Sequence, residues 1–285
     1  MTFPNFIIGG ALKAGTTSLN YYLKQHPEVY MSALKEPRYF AYEPDNPDHV
    51  EGRGLRFPIK TLEAYTALFD EANGQKAIGE ASPHYLISHY APQQIKKTLP
   101  DVKLIFSLRD PVKRAYSIYW HDVRLGMESR PVEEALTERE YAVIHGLYHY
   151  WLCHWYELFG PEQIKIVLFD DLQRDALGVV RELCLFLGID AGFSPDLTVR
   201  NKGGAMKNKG MGRFYERIKT HPLRKAIDPL VPERVRALLL DARNRNFEEP
   251  PPLPKAVERR LNDFYRDDIA QLERFLGRDL SAWKH

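Results

Sequence analysis

Ile7-Ile8-Gly9-Gly10-Ala11-Leu12-Lys13-Ala14-Gly15-Thr16-Thr17-Ser18 is the stretch on which the reading of this 285-residue chain turns. Phe6-Ile7-Ile8 is short, apolar and β-branched, which predicts a strand. Thr17 to Gln25 reads as a helix. Between them lies a glycine-bearing loop. A strand that runs through such a loop into a helix N-terminus aims several backbone N–H groups at one spot, with the helix dipole behind them. That is an anion site, and the glycines let the backbone approach the ligand closely.

Working outward, Ala77-Ile78-Gly79 predicts a second strand. Val102 to Leu108 (VKLIFSL) predicts a third, apolar on both faces as a central parallel strand should be. Asp110 and Pro111 have the chemistry of an N-cap and a first helical residue, opening a helix to about Leu125. A helix from Tyr148 to Phe159, a strand from Ile164 to Phe169 and a helix from Leu177 to Leu187 follow. Pro254 to Phe275 closes the chain as an amphipathic helix, with Val257, Leu261, Phe264, Ile269, Leu272 and Phe275 as its apolar stripe. Alternating strands and helices predict an α/β fold of three layers, P-loop-like, with a central parallel sheet flanked by helices. No linker breaks the chain, so residues 1–285 are expected to form one domain.

Composition narrows the function classes. Apolar residues make up 44% of the chain and the formal net charge is +2. There is no overall field to draw a nucleic acid, and any basic cluster that matters must be local. The two cysteines, Cys153 and Cys184, sit in apolar helical stretches and read as buried thiols, without disulfide or zinc spacing. The first residues show no basic start followed by an apolar stretch, so no signal peptide is expected, and no apolar run approaches the roughly 20 residues that span a bilayer. A cytoplasmic location is the expectation. Oligomeric state is not legible.

The loop departs from the nucleoside-triphosphate motif G-x-x-x-x-G-K-[ST]. Gly10 and Gly15 have its spacing, but Thr16 follows where a lysine should stand, and the lysine of the loop is Lys13. The VKLIFSL strand ends in Arg109, so no acidic strand end is offered to Mg²⁺. A phosphosulfate, handled without metal, fits better than a triphosphate. Arg109 and, two turns into the next helix, Ser117 stand where the ends of parallel strands face a ligand crevice. Arginine suits a phosphate because its fork donates two parallel bonds.

Glu36, in Leu34-Lys35-Glu36-Pro37-Arg38-Tyr39-Phe40, is a candidate general base. His84, in Glu80-Ala81-Ser82-Pro83-His84-Tyr85, is its rival. Lys202 to Lys225 holds eight lysines and arginines against one acid, Glu216. It opens with Lys202-Gly203-Gly204 and has the composition of a lid over a phosphate or of a solvated basic face. Tyr39, Phe40, Tyr42 and Tyr85 are either a sugar-stacking surface or core. A P-loop kinase or other NTP-dependent phosphotransferase, and a non-catalytic nucleotide-binding protein, are the competing readings.

Taken together, these segments resemble the PAPS-dependent sulfotransferase superfamily (PAPS is 3′-phosphoadenosine-5′-phosphosulfate), most of all the heparan-sulfate N- and 3-O-sulfotransferase branch and its bacterial relatives. The matches run in order along nearly the whole chain. Lys13 to Ser18 resembles the 5′-phosphosulfate loop. Lys35 to Phe40 resembles the segment carrying the branch's base, Glu36 here. Glu80 to Tyr85 resembles a segment beside the acceptor. Arg109 to Ser117 matches the 3′-phosphate motif at its arginine and its serine. Gly146 to Ile164, and Phe264 to Trp283, are similar to the later elements.

The resemblance implies PAPS as donor and PAP as product, no metal, and a small-molecule or glycan acceptor with a hydroxyl or amine. It implies Lys13, Ala14, Gly15, Thr16, Thr17, Ser18, Arg109, Ser117, Lys202, Gly203 and Gly204 as donor-binding residues, and Glu36, Lys13 and His84 as catalytic ones. Two features depart from the family. Ala81 stands where a lysine often follows the glutamate, and two Lys-Gly pairs, Lys202-Gly203 and Lys209-Gly210, compete for the lid, the first preferred.

Overall fold

β1 (Phe6–Gly10) runs up the middle of a five-stranded sheet. The structure, a computed structural model, describes residues 1–43, 57–197 and 250–284 and the backbone of a strand pair at 205–206 and 247–248. After β1 come α1 (Thr16–Lys24), β2 (Val29–Met31), α2 (Leu62–Thr66), β3 (Ala77–Ala81), α3 (Ala91–Thr98), β4 (Lys103–Leu108) and α4 (Pro111–Leu125). Then follow α5 (Val132–Ala135), α6 (Tyr141–Ile144), α7 (Tyr148–Tyr156), β5 (Ile164–Leu168), α8 (Phe169–Arg174) and α9 (Ala176–Leu187). A short antiparallel pair, β6 (Ala205–Met206) and β7 (Phe247–Glu248), precedes α10 (Lys255–Leu276).

The large sheet has the order β2-β3-β1-β4-β5, and every pairing in it is parallel. The chain leaves β1 towards the β3 side and leaves β4 towards β5. The carboxyl ends of β1 and β4 therefore border the switch-point crevice in which open α/β sheets bind ligands.

Strand alternation splits the interior into two cores, one on each sheet face. Ile7, Leu104, Phe106 and Leu108 join the layer of α3, α4, α7 and α10, with Trp155 and Tyr265 among its largest members. Phe6, Ile8, Ile105 and Val167 join the layer of α1 and α9, with Leu19, Leu183 and Cys184. Burying both faces explains why β1 and β4 read as largely apolar runs.

Most of the expected elements form within a residue or two of the sequence reading. β2 was not singled out, since three residues carry too little period. The helix from Tyr148 ends at Tyr156, three residues early. The stripe of α10 differs too. Tyr265, not Phe264, is fully buried, because Val257, Leu261, Tyr265 and Ile269 recur at four-residue steps along one face. Phe275 lies on the rim, 40% exposed, with its ring edge-on to His149 and Tyr156. Cys153 is half-buried rather than buried, and both thiols are free.

The C-terminal elements are fastened to the sheet layer by polar contacts. Asp268 on α10 accepts from the backbone N–H groups of His149 and Tyr150, both at 3.1 Å, and so caps α7 from another helix. Trp283 Nε1 donates to Asp170 on α8 at 2.8 Å.

Candidate functional site

The helix that follows the glycine loop is open at its N-terminus. Gly15 is the N-cap of α1, with φ +88°, and no side chain caps the helix. The first turn of a helix has N–H groups without intrahelical partners. At α4 the Asp110 carboxylate takes them, Oδ1 accepting from Val112 at 2.9 Å and Lys113 at 3.2 Å. At α9 Asp175 does the same for Gly178. At α1 nothing comparable intervenes, and the first turn contains no acid. It is the dipole end into which an anion fits.

The loop is held by the neighbouring strand. The Ala11 N–H donates to the Ser107 carbonyl at 2.7 Å, and Ser107 Oγ donates to the Ala14 carbonyl at 2.5 Å. This explains a polar residue in the middle of an apolar central strand: its hydroxyl is spent on the loop. Gly15 has no room for a side chain. A Cβ there would come within 2.8 Å of Phe169 and 2.9 Å of Leu172.

Lys13 sits at φ 65° in this loop, half-buried. Burial, and then the positive charges of Arg124, Arg109 and Lys35, bring its pKa down to about 8. A lysine crowded by cations with the proton only loosely held awaits an anion. Arg109, at the end of β4, donates from Nη1 to the Lys13 carbonyl at 3.2 Å and lies 5.0 Å over the Phe169 ring. Its own carbonyl accepts from the Tyr148 hydroxyl at 2.7 Å. Burial lowers its pKa as well.

Of the other expected donor residues, Thr16 is buried, and Thr17 and Ser18 are half-buried on the first turn of α1. The Ser18 hydroxyl bonds the Tyr22 phenol. Ser117 is half-buried on α4, and no hydrogen bond joins it to Arg109 among the described residues. Lys202, Gly203 and Gly204, and the alternative Lys209-Gly210 pair, lie outside the described residues.

Glu36 and His84 are brought together. The Glu36 carboxylate receives Lys35 Nζ on Oε1 at 2.7 Å and Arg38 Nη2 on Oε2, and His84 Nδ1 stands 4.0 Å from Oε2. Burial alone would raise this carboxyl, but the two cations outweigh it and hold Glu36 at about 2. His84 is almost wholly enclosed. Burial, reinforced by Arg38, brings its pKa down to about 3, so the ring is neutral. Of the rival bases, Glu36 is therefore the ionised one and the one with solvent access; its side chain is 23% exposed against 7% for His84. Among the aromatics, Phe40 and Tyr85 are core, whereas Tyr39 and Tyr42 are only partly buried.

Sequence reasoning missed Arg124 and Asp122. Both lie at the far end of α4, where their charges act on Lys13, and Arg124 bonds His121 Nδ1. The helix stripe Ser117–Arg124, two turns long, was the available signal.

A model of the sulfotransferase family matches residues 4–195. Over 97% of its length the chain is 28% identical to human heparan sulfate glucosamine 3-O-sulfotransferase 6, of which it spans 73%. Over 44% of its length it is 37% identical to the membrane-associated sulfotransferase kil1 of Dictyostelium discoideum, of which it spans 24%. The crystal structure of a sulfotransferase from Alicyclobacillus acidocaldarius matches it over 100% of both chains, with 31% identity and a TM-score of 0.76. No helix among the described residues is long and apolar enough to cross a membrane. With the family model covering well over half of the chain and a bacterial member matching it throughout, the chain belongs to the sulfotransferase family and is an enzyme of sulfuryl transfer.

Proposed function

We propose that the enzyme takes the sulfuryl group from PAPS and delivers it to a hydroxyl or amine of a sugar-containing acceptor, with Glu36 as the base. The observation that carries the donor half is the uncapped first turn of α1, with Lys13 and Arg109 hydrogen-bonded to one another beside it. It offers two anion grips of different reach, as a donor with a 5′-phosphosulfate and a separate 3′-phosphate requires. The acceptor class is supported by the heparan sulfate glucosamine sulfotransferase among its relatives and by the partly buried rings of Tyr39 and Tyr42, in and just after the segment that carries Glu36.

In-line transfer asks for positioning and for stabilisation of the charge that grows on the leaving phosphate. Lys13 and the N–H groups of Thr16 and Thr17 meet that charge without reorganising. Arg109 holds the 3′-phosphate, with Ser117 and the Lys202-Gly203-Gly204 segment as further donors. Glu36 accepts the acceptor's proton as attack proceeds. Lys35 and Arg38 are drawn towards the incoming anion, which relaxes their hold on Glu36 and raises its basicity at the moment it is needed. His84, neutral and enclosed, backs Glu36 and takes no proton.

Calorimetric titration of the protein with PAP, and separately with ATP and Mg²⁺, tests this. Metal-independent PAP binding that Arg109→Ala weakens at least tenfold is the expected result. A preference for MgATP, or no PAP binding, sinks the proposal.

A further inference from the structure

Glu80 is a buried acid with no part in the reaction as drawn. It lies near the end of β3, paired with Ile7 of β1, and is fully enclosed. The Tyr65 hydroxyl of α2 donates to its Oε1 at 3.4 Å, and the hydroxyls of Ser82 and Tyr85, in the turn after β3, also face it. No hydrogen bond reaches Oε2 among the described residues. Among the described residues no ion pair reaches it, and an enclosed acid so placed is a cost that packing does not explain.

The groups around Glu80 are the ones from which the Glu36 turn hangs. Ser82 Oγ accepts from the Arg38 N–H at 3.1 Å, and the Tyr85 hydroxyl accepts from the Phe40 N–H at 3.4 Å. The carbonyl of Ala81, next in the chain, accepts from the Glu36 N–H at 3.0 Å. Glu36 and Arg38 have φ values of 62° and 56°. Side-chain-bearing residues keep such backbone only where their surroundings hold it.

We propose that Glu80 is a positioning residue for Glu36: it orders the Ser82 and Tyr85 hydroxyls that fix the Glu36 turn, and its charge strengthens Glu36 as a proton acceptor. The inference rests on Glu36 being the base. Lys35 and Arg38 weaken that base, and a buried negative charge below it acts in the opposite sense. The groups facing Glu80 are Tyr65 from α2, Ser82 and Tyr85 from the turn after β3, and Glu36 from the turn before α2; β1 presents the apolar Ile7. Burial first, and the Glu36 charge in the same direction, push Glu80 up to about 7. Like charges act on each other reciprocally, so ionisation of Glu80 raises the proton affinity of Glu36.

The test is a carboxyl ¹³C NMR titration of the full chain labelled with [¹³C]glutamate, needing no acceptor. One carboxyl should titrate near neutrality, vanish in Glu80→Gln, and move down by roughly one pH unit or less in Glu36→Gln. A kinetic arm uses PAPS and a desulfated glucosamine oligosaccharide. There kcat of the wild type should rise through the same midpoint. Glu80→Gln should flatten the profile and cut kcat about tenfold at pH 8 with KM for PAPS unchanged, and Glu80→Asp should restore part of the rise. No carboxyl titrating above about pH 5.5, a midpoint indifferent to Glu36→Gln, or a Glu80→Gln enzyme with the wild-type kcat profile overturns the inference. Full turnover in Glu36→Gln would instead remove the base assignment, and the NMR coupling would report on Glu80 separately.

Discussion

Arg109 donates from Nη1 to the backbone carbonyl of Lys13 across 3.2 Å, so the cation at the end of β4 is bonded to the loop that carries a second cation, Lys13. The two proposed anion grips are thus one unit, since Ser107, on β4 two residues before Arg109, also ties the loop to that strand. Arg109→Lys should behave much like Arg109→Ala. A lysine loses the stacking on Phe169 and the fork that serves loop and ligand together. Both variants are expected to weaken PAP at least tenfold by calorimetry, while thermal stability falls only slightly.

Lys13→Met is expected to lower kcat about 10²- to 10³-fold, as loss of a charge-stabilising group does, and to weaken PAP by much less. Weakened PAP binding with kcat unchanged would place Lys13 in ground-state binding only.

The depressed pKa of Lys13 also makes binding draw protons. Near pH 8 the free enzyme holds its Lys13 proton only about half the time. A bound phosphate favours the charged form and raises the pKa. PAP binding at pH 8 should therefore take up to about half a proton, measured by calorimetry in buffers of differing ionisation enthalpy. Uptake should fade towards pH 6.5, where Lys13 is already charged, and should disappear in Lys13→Met.

Glu36→Gln should reduce kcat about 10²- to 10⁴-fold with PAP affinity nearly unchanged, because the proposed base serves the acceptor and not the donor. His84→Asn should keep most of the turnover. The reverse ranking would make His84 the base in spite of its enclosure.

Gly15→Ala is expected to cost about 1–3 kcal/mol of stability and to abolish PAP binding. The left-handed φ and the close approach of Phe169 and Leu172 leave nowhere for the methyl group. As a contrast far from the site, Asp268→Ala should cost about 1–2 kcal/mol through the lost α7 cap and leave PAP affinity intact.

Much of the backbone around the proposed donor site was legible in the sequence because it is local. A strand, a glycine loop and a helix start lie within the span Phe6–Ser18, and Asp110-Pro111 spells a helix N-terminus by itself; both came out where the pattern put them. The apolar run of β4 likewise announced a strand covered on both faces. Tertiary packing decided the rest, because the relevant partners are distant in the chain. Nothing local says that Ser107 bonds Ala14, that Asp268 caps a helix more than a hundred residues earlier, or that Arg124 shares its field with Lys13. The choice between Glu36 and His84 was of the same kind. The two residue types offer equal chemistry on paper, and only burial and the neighbouring cations leave one ionised at the cleft and the other neutral behind it. Covalent neighbours set backbone preference, but protonation states and site geometry are set by what folds against a residue, which a linear pattern does not contain.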